Sequence, residues 1–267
     1  MKKLLYFLLL SFVLTDSCFA GVSVLGGLTQ EKILQPGEKF EGQITLQNTG
    51  EDAWLVEVYK KDYLFYADGT NIYGEPGSAD RSNAGWLSVS PNRLTIPPNE
   101  KASVYYRIQV PENPDLSGTY WSMVMIEPAS KTGRENIQDK DGKIKVGVQT
   151  VVRYGIQIVT NIGDSGSRKI SFLDKKMIKQ DEKRILQLDV ENTGDRWLSP
   201  FVWVELYDGY GNRIGRFESL KKRIYPECSV RHEVDLSQVP QGNYKALVVV
   251  DNGDEHVFGA QYDLGIE

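Results

Sequence analysis

Residues 47–55 read Gln47-Asn48-Thr49-Gly50-Glu51-Asp52-Ala53-Trp54-Leu55, and residues 191–198 read Glu191-Asn192-Thr193-Gly194-Asp195-Arg196-Trp197-Leu198, the same phrase with one residue deleted. Each copy joins two apolar-polar alternating runs through a polar Asn-Thr-Gly turn, so each reads as strand B, a tight turn and strand C. Working outward, Phe40 to Asn48 and Ile185 to Asn192 alternate before the phrase, and Trp54 to Tyr59 and Val202 to Tyr207 alternate after it. Farther on, Gly118-Thr119-Tyr120 opens one strand F (Tyr120 to Glu127) and Gly242-Asn243-Tyr244 opens another (Tyr244 to Asp251). Pro98-Asn99-Glu100 and Pro226-Glu227 precede strand E in the two halves, at Ala102 to Val110 and Ser229 to Val234. One domain type is written twice. No long segment carries a helical period, so the expectation is an all-β chain of two tandem immunoglobulin-like β-sandwich domains. Trp54 and Trp197 are expected as core aromatics between sheets, and Tyr120 and Tyr244 as corner tyrosines bonded to nearby backbone.

The first twenty residues read as an address. Lys2 and Lys3 precede the apolar run Leu4 to Val13, and Cys18-Phe19-Ala20 ends in a small residue suited to cleavage, so residues 1–20 are expected to be a signal peptide. Thr15, Asp16 and Ser17 before Cys18 do not suit a lipid-anchor motif. The boundaries that follow are 21–162 for the N-terminal domain and 163–267 for the C-terminal one, with a linker in Thr160 to Ser167 (TNIGDSGS). Removing Lys2, Lys3 and Asp16 leaves 29 basic and 35 acidic residues, a net charge of −6, which offers no electrostatic attraction to nucleic acid. No later stretch is apolar enough to act as a transmembrane anchor. Cys228 is the one cysteine left after cleavage, so both cores are expected to stand on packing without an intrachain disulfide.

Chemistry-bearing motifs are missing. His232 and His256 stand apart with no second cysteine and no acids at ligand spacing, so no metal is expected. Asp139-Lys140-Asp141-Gly142 and Asp208-Gly209-Tyr210-Gly211 lack the terminal glutamate of a calcium loop. There is no GxSxG, Walker loop or dinucleotide fingerprint, so no catalytic residue and no cofactor are assigned. Binding through a sheet surface, a sheet edge or a loop remains.

Ile144 to Val159 (IKVGVQTVVRYGIQIV) is the unusual segment. Sixteen residues in extended form reach about 50 Å, well beyond an ordinary strand. Ile144, Val146 and Val148 fall on one face, interleaved with Lys145, Gly147 and Gln149 on the other. Such a strand can either fill its own sandwich or donate backbone bonds and alternate side chains to a partner by strand addition.

The stretch KVGVQTVVRYGIQI, the two-domain pattern, the signal peptide and the scarcity of cysteine together resemble the PapD-like periplasmic pilus chaperones. In that family strand G of the first domain carries alternate apolar residues, then a basic residue and a further hydrophobic run. The resemblance implies a periplasmic chaperone-like protein that inserts this strand into an incomplete pilus or surface subunit, with Ile144, Val146 and Val148 as the subunit-binding triplet. It further implies Arg153 as the anchor for the subunit's terminal carboxylate, a contact suited to guanidinium geometry, and an outer-membrane usher as a further candidate partner. The chain departs from the family near its first strand, where Thr29-Gln30-Glu31-Lys32 puts glutamate about where a second cleft arginine is expected; Lys32 becomes the second cation only after a register shift. The alternative is a non-catalytic structural or adhesive cell-envelope module that binds through the polar insertion Ala67 to Ala84, with Tyr66 and Tyr73 as exposed aromatics. A second polar insertion, Ala129 to Gly142, separates strands F and G.

Overall fold

The structure, a computed structural model, describes residues 21–129, 137–138, 144–145 and 152–267, the two short internal stretches by backbone alone. The leader at 1–20, most of the second insertion, Val146 and Val148 lie outside the described residues.

The strands in the first half are β1 (Val22–Leu25), β2 (Thr29–Leu34), β3 (Lys39–Asn48), β4 (Trp54–Phe65), β5 (Asn71–Gly74), β6 (Leu87–Ser90), β7 (Arg93–Ile96), β8 (Lys101–Gln109), β9 (Gly118–Pro128), β10 (Ile137–Gln138), β11 (Ile144–Lys145) and β12 (Tyr154–Ile162). The second half adds β13 (Ile170–Gln180), β14 (Lys183–Asn192), β15 (Phe201–Tyr207), β16 (Arg213–Glu218), β17 (Ser229–Asp235), β18 (Gly242–Asp251) and β19 (Val257–Ile266). The chain is all-β, and no helix among the described residues is long and apolar enough to cross a membrane.

A sheet of order β1-β3-β8-β6 faces one of order β2-β12-β9-β4-β5, with β7 also paired to β4. Ile44 and Leu46 of β3, Val104 and Ile108 of β8, Val56 and Val58 of β4, Val124 and Ile126 of β9 and Ile156 and Ile158 of β12 point inward on the period of two and close the core between them. Each such side chain contributes about 1.5–3 kcal/mol by leaving water. In the second half β13-β14-β17 packs on β16-β15-β18-β19 around Leu188, Val204, Leu206, Val234, Val248 and Val250.

The repeated phrase makes the same corner in both sandwiches. Asn48 Nδ2 donates to the carbonyls of Asp52 (2.7 Å), Ile96 (3.1 Å) and Pro97 (3.0 Å), while its Oδ1 accepts from the Gly50 amide (2.9 Å). Asn192 Nδ2 donates to Arg196 O (2.7 Å) and Ile224 O (3.0 Å), and its Oδ1 accepts from the Gly194 amide (2.9 Å). A short amide side chain serves both strand ends because it offers donors and an acceptor from one fully buried point. The corner tyrosine is found in the second sandwich, where Tyr244 donates to Pro240 O at 2.8 Å. Tyr120 instead packs its ring 4.5 Å from Trp86, with the Arg81 guanidinium 5.1 Å from its own centroid.

Two further expectations need correction. Trp54 is a core residue, but Trp197 is not packed between its own sheets. Ser199-Pro200 delays strand C to Phe201, which leaves Trp197 on the flank that meets the first sandwich. The insertion Ala67 to Ala84 is not a free loop either. It forms the β4–β5 hairpin and then folds back: Asp62 accepts from Ser82 Oγ (2.6 Å) and the Ala79 amide (2.9 Å), and buried Asn83 donates to Ile158 O and Thr160 Oγ1, both at 3.0 Å. Tyr66 is half-buried, whereas Tyr73 is exposed.

Candidate functional site

The site is organised by β12. It pairs antiparallel with β9 along its whole length, from Tyr154 opposite Ile126 to Ile162 opposite Gly118. On its other side it pairs in parallel with β2, but only from Gln157, opposite Thr29, onward. The Gln157 amide donates to Leu28 O at 2.8 Å and the Gly163 amide to Leu34 O at 3.0 Å, so the odd-numbered residues turn their backbone groups toward β2. Gly155 is the next odd residue back, and among the described residues its N–H and C=O face no strand. Among the described residues, an open sheet edge therefore begins at Gly155, at the end of β12 that Arg153 precedes.

Side chains follow the same alternation. Ile156 and Ile158 face the core, while Gly155, Gln157 and Val159 lie on the outer face of the sheet. Gly155 lies under the end of the Met123 side chain on that face, so a Cβ there would displace the flexible methionine methyl. Arg153, just before β12, is on this outer face as well: its Nη2 pairs with Glu127 of β9, and the side chain is 55% exposed. The other Glu127 oxygen accepts from the Tyr59 hydroxyl at 2.5 Å. That hydroxyl bond, together with Arg153, holds the Glu127 carboxyl below its usual range, and Glu127 in turn raises the Arg153 guanidinium. Burial and Glu127 push the Tyr59 phenol up. The pair is a half-exposed surface ion pair, worth about 0–1 kcal/mol, so an incoming carboxylate can exchange with Glu127 at small cost.

Lys32 is not brought to Arg153. It lies opposite Thr160 in the β2–β12 register, seven residues along β12 from Arg153, which is about 23 Å of extended chain. Its ammonium sits 4.5 Å from the centroid of the Phe40 ring. The outer-facing neighbour is Glu31, whose Oε1 accepts from Asn161 Nδ2 (2.6 Å) and Trp197 Nε1 (2.8 Å) and whose Oε2 pairs with Arg223 Nη1 at 3.2 Å. Arg223 lies 4.0 Å over the Trp197 ring. Glu31 thus ties the first sandwich to the second. Ile144 is described by its backbone alone, in the two-residue antiparallel ladder of β10 with β11.

The outer face of β12 and β9 continues into the contact between sandwiches. Trp121 stacks on Tyr225 with centroids 4.8 Å apart and planes 15° apart, and Val159, Val190, Ile224 and Cys228 complete an apolar cluster. Tyr225 donates to Gln157 Oε1 at 2.8 Å, Arg81 pairs with Asp195, and the Thr119 amide donates to Asp195 O at 2.8 Å. The buried Cys228 thiol is pushed up to about 12 by desolvation, which makes it an inert packing group. Sequence reasoning missed Glu31, Arg223 and Tyr225 because their partners are more than a hundred residues away or sit on another sheet. Glutamate where the family pattern has a cation was the one local sign. Among the described residues no cluster of three or more potential metal ligands occurs.

Fimbrial chaperones of solved structure match the chain over most of its length. A chaperone–tip adhesin complex of CFA/I fimbriae biogenesis aligns at a TM-score of 0.48 and 15% identity, over 91% of this chain and 98% of that one. The class 5 fimbriae chaperone CfaA aligns at 0.47 and 13%, over 92% and 100%. The E. coli chaperone DraB aligns at 0.42 and 12%, over 92% and 98%. No family model matches the sequence, and no curated protein does.

Proposed function

We propose that the chain is an exported, non-catalytic, periplasmic chaperone-like protein, with domains at 21–162 and 163–267, that captures a secreted pilus or surface subunit by strand addition. The supporting observation is the edge of β12 that is open at Gly155 among the described residues, because the sequence leading up to it has Ile144, Val146 and Val148 at alternate positions. An extended segment of the subunit pairs along this edge and receives the three aliphatic side chains. Arg153, half-exposed beside it, takes the subunit's terminal carboxylate in exchange for Glu127. An outer-membrane usher is the further partner on this reading.

Co-expression with candidate surface subunits exported by the same cell, followed by affinity capture, tests it. Val146→Asp abolishes capture and leaves the thermal midpoint of the isolated protein unchanged; full capture by the folded variant contradicts the proposal. The adhesive alternative has its own observation, Ile72 and Tyr73 exposed on β5 at 45% and 54%. Deleting residues 67–84 is an unsuitable test because Arg81 and Asn83 hold the fold together. Ile72→Ser with Tyr73→Ser separates the readings: subunit capture survives on the first, and surface binding is lost on the second.

A further inference from the structure

β19 is a ten-residue edge strand without the bulges or multiple charges of the other edges longer than four residues, β1, β5 and β6 being four residues each. It pairs with β18 in ten consecutive positions with no register shift, from Asp251 opposite Val257 to Gly242 opposite Ile266. β13, of comparable length, is bulged between Phe172 and Asp174 and carries Lys175, Lys176 and Lys179, and β16 has a register shift and Arg213, Arg216 and Glu218. β2 and β17 each carry two or more charged residues as well. β19 has Asp263 alone. Bulges and charges are the usual means of blocking edge-to-edge pairing.

The hairpin bond from the Asn252 amide to His256 O (3.2 Å) sets which groups of β19 are free. Even-numbered residues bond β18, so Val257, Gly259, Gln261, Asp263 and Gly265 turn their N–H and C=O outward. An antiparallel pairing of β19 with itself about a two-fold axis at Gln261 uses all of them. In that register Asp263 meets Gly259 of the second copy, which keeps the two acids apart, whereas an axis at Asp263 would set them face to face. On the core-side face Ala260 meets Tyr262 and Phe258 meets Leu264, so small opposes large and apolar opposes apolar. An axis at Gly259 pairs only five residues. The neighbouring cation, Lys175, lies 3.8 Å over the Tyr262 ring on a flexible stem.

We propose that β19 is a self-pairing edge, through which two copies of this chain join their second sandwiches into one continuous sheet across a two-fold axis at Gln261. Such an isologous contact closes on itself.

Sedimentation equilibrium of the full exported chain, from about 1 µM to about 1 mM, tests this. Wild type self-associates to a dimer and no further. Gln261→Pro removes an outward N–H without touching the β18 ladder, and raises the dimer dissociation constant at least about tenfold. Gly259 is the second handle, because a Cβ there meets only Val248 O at 3.6 Å. Gly259→Asp weakens the dimer by placing like charges opposite each other, and Gly259→Lys does not. A wild type that stays monomeric at the highest concentration overturns the proposal. A dimer equally strong in Gln261→Pro and in Gly259→Asp overturns it too.

Discussion

Truncating Tyr225 measures how firmly the two sandwiches are joined. The side chain is 1% exposed, stacks 4.8 Å on Trp121, meets the Phe65 ring edge-on at 6.2 Å and donates to Gln157 Oε1 at 2.8 Å. Tyr225→Phe removes only the hydroxyl's two bonds, the donation to Gln157 and the long one accepted from Arg223 Nη1 (3.4 Å), and Gln157 keeps the Thr29 hydroxyl at 3.2 Å, so the loss is about 1 kcal/mol. Tyr225→Ala removes the ring and opens a cavity between Trp121 and Phe65, a loss of about 3–5 kcal/mol. The difference, about 2–4 kcal/mol, is packing between sandwiches. Urea unfolding followed by tryptophan fluorescence and by far-ultraviolet circular dichroism reads it, since Trp121 and Trp197 both lie at the contact. The two signals coincide in the wild type; in Tyr225→Ala the fluorescence change moves to lower urea and separates from the loss of strand signal. If Tyr225→Ala costs less than about 1 kcal/mol, or no more than Tyr225→Phe, the contact does not couple the sandwiches.

Three further outcomes follow from buried polar groups and one close approach. His232 is fully buried, with Nδ1 2.9 Å from Ser219 Oγ and, among the described residues, no hydrogen-bond partner for Nε2, and desolvation lowers its pKa from 6.5 to about 4. The unfolded chain takes up this proton first as pH falls, so the stabilisation is full above about pH 6.5 and is lost progressively toward pH 4. The loss is about 3 kcal/mol at about 1.4 kcal/mol per pKa unit, and urea midpoints of wild type against His232→Gln across that window isolate it. Asn48→Ala and Asn192→Ala each strand buried carbonyls at the matching corners and cost about 2–4 kcal/mol, read as a drop in thermal midpoint, whereas Thr49→Ala at the exposed neighbouring position costs far less. Gly118→Ala is destabilising by at least about 2 kcal/mol in the same assay, because φ is +76° and a Cβ would lie 2.2 Å from the Asp195 carbonyl oxygen across the contact.

The strands that could be read in advance are those whose alternation is uninterrupted, such as β3, β8, β14 and β18. β13 was missed because its bulge between Phe172 and Asp174 shifts the period partway, and β19 because its glycines dilute the apolar signal. The Asn-Thr-Gly phrase was legible as a repeat, since identical turn chemistry produces the same buried amide network twice. The tryptophans after it did not share a fate, because Ser199-Pro200 in the second copy postpones the strand. Arg153 was visible as a cation before a hydrophobic run, but its partner Glu127 is 26 residues earlier on a neighbouring strand. Lys32 was an expectation about side-chain direction, and a period of two turns adjacent residues to opposite faces: Glu31 meets the second sandwich and Lys32 meets Phe40.

Amide hydrogen exchange along β12 in the isolated protein bears most directly on strand addition. Ile156 and Ile158 bond β9 and Gln157 bonds Leu28, so all three exchange slowly, while Gly155, turned toward the open edge, exchanges faster by orders of magnitude. A Gly155 amide as protected as that of Gln157 would mean the edge is already filled, leaving no place for a partner strand.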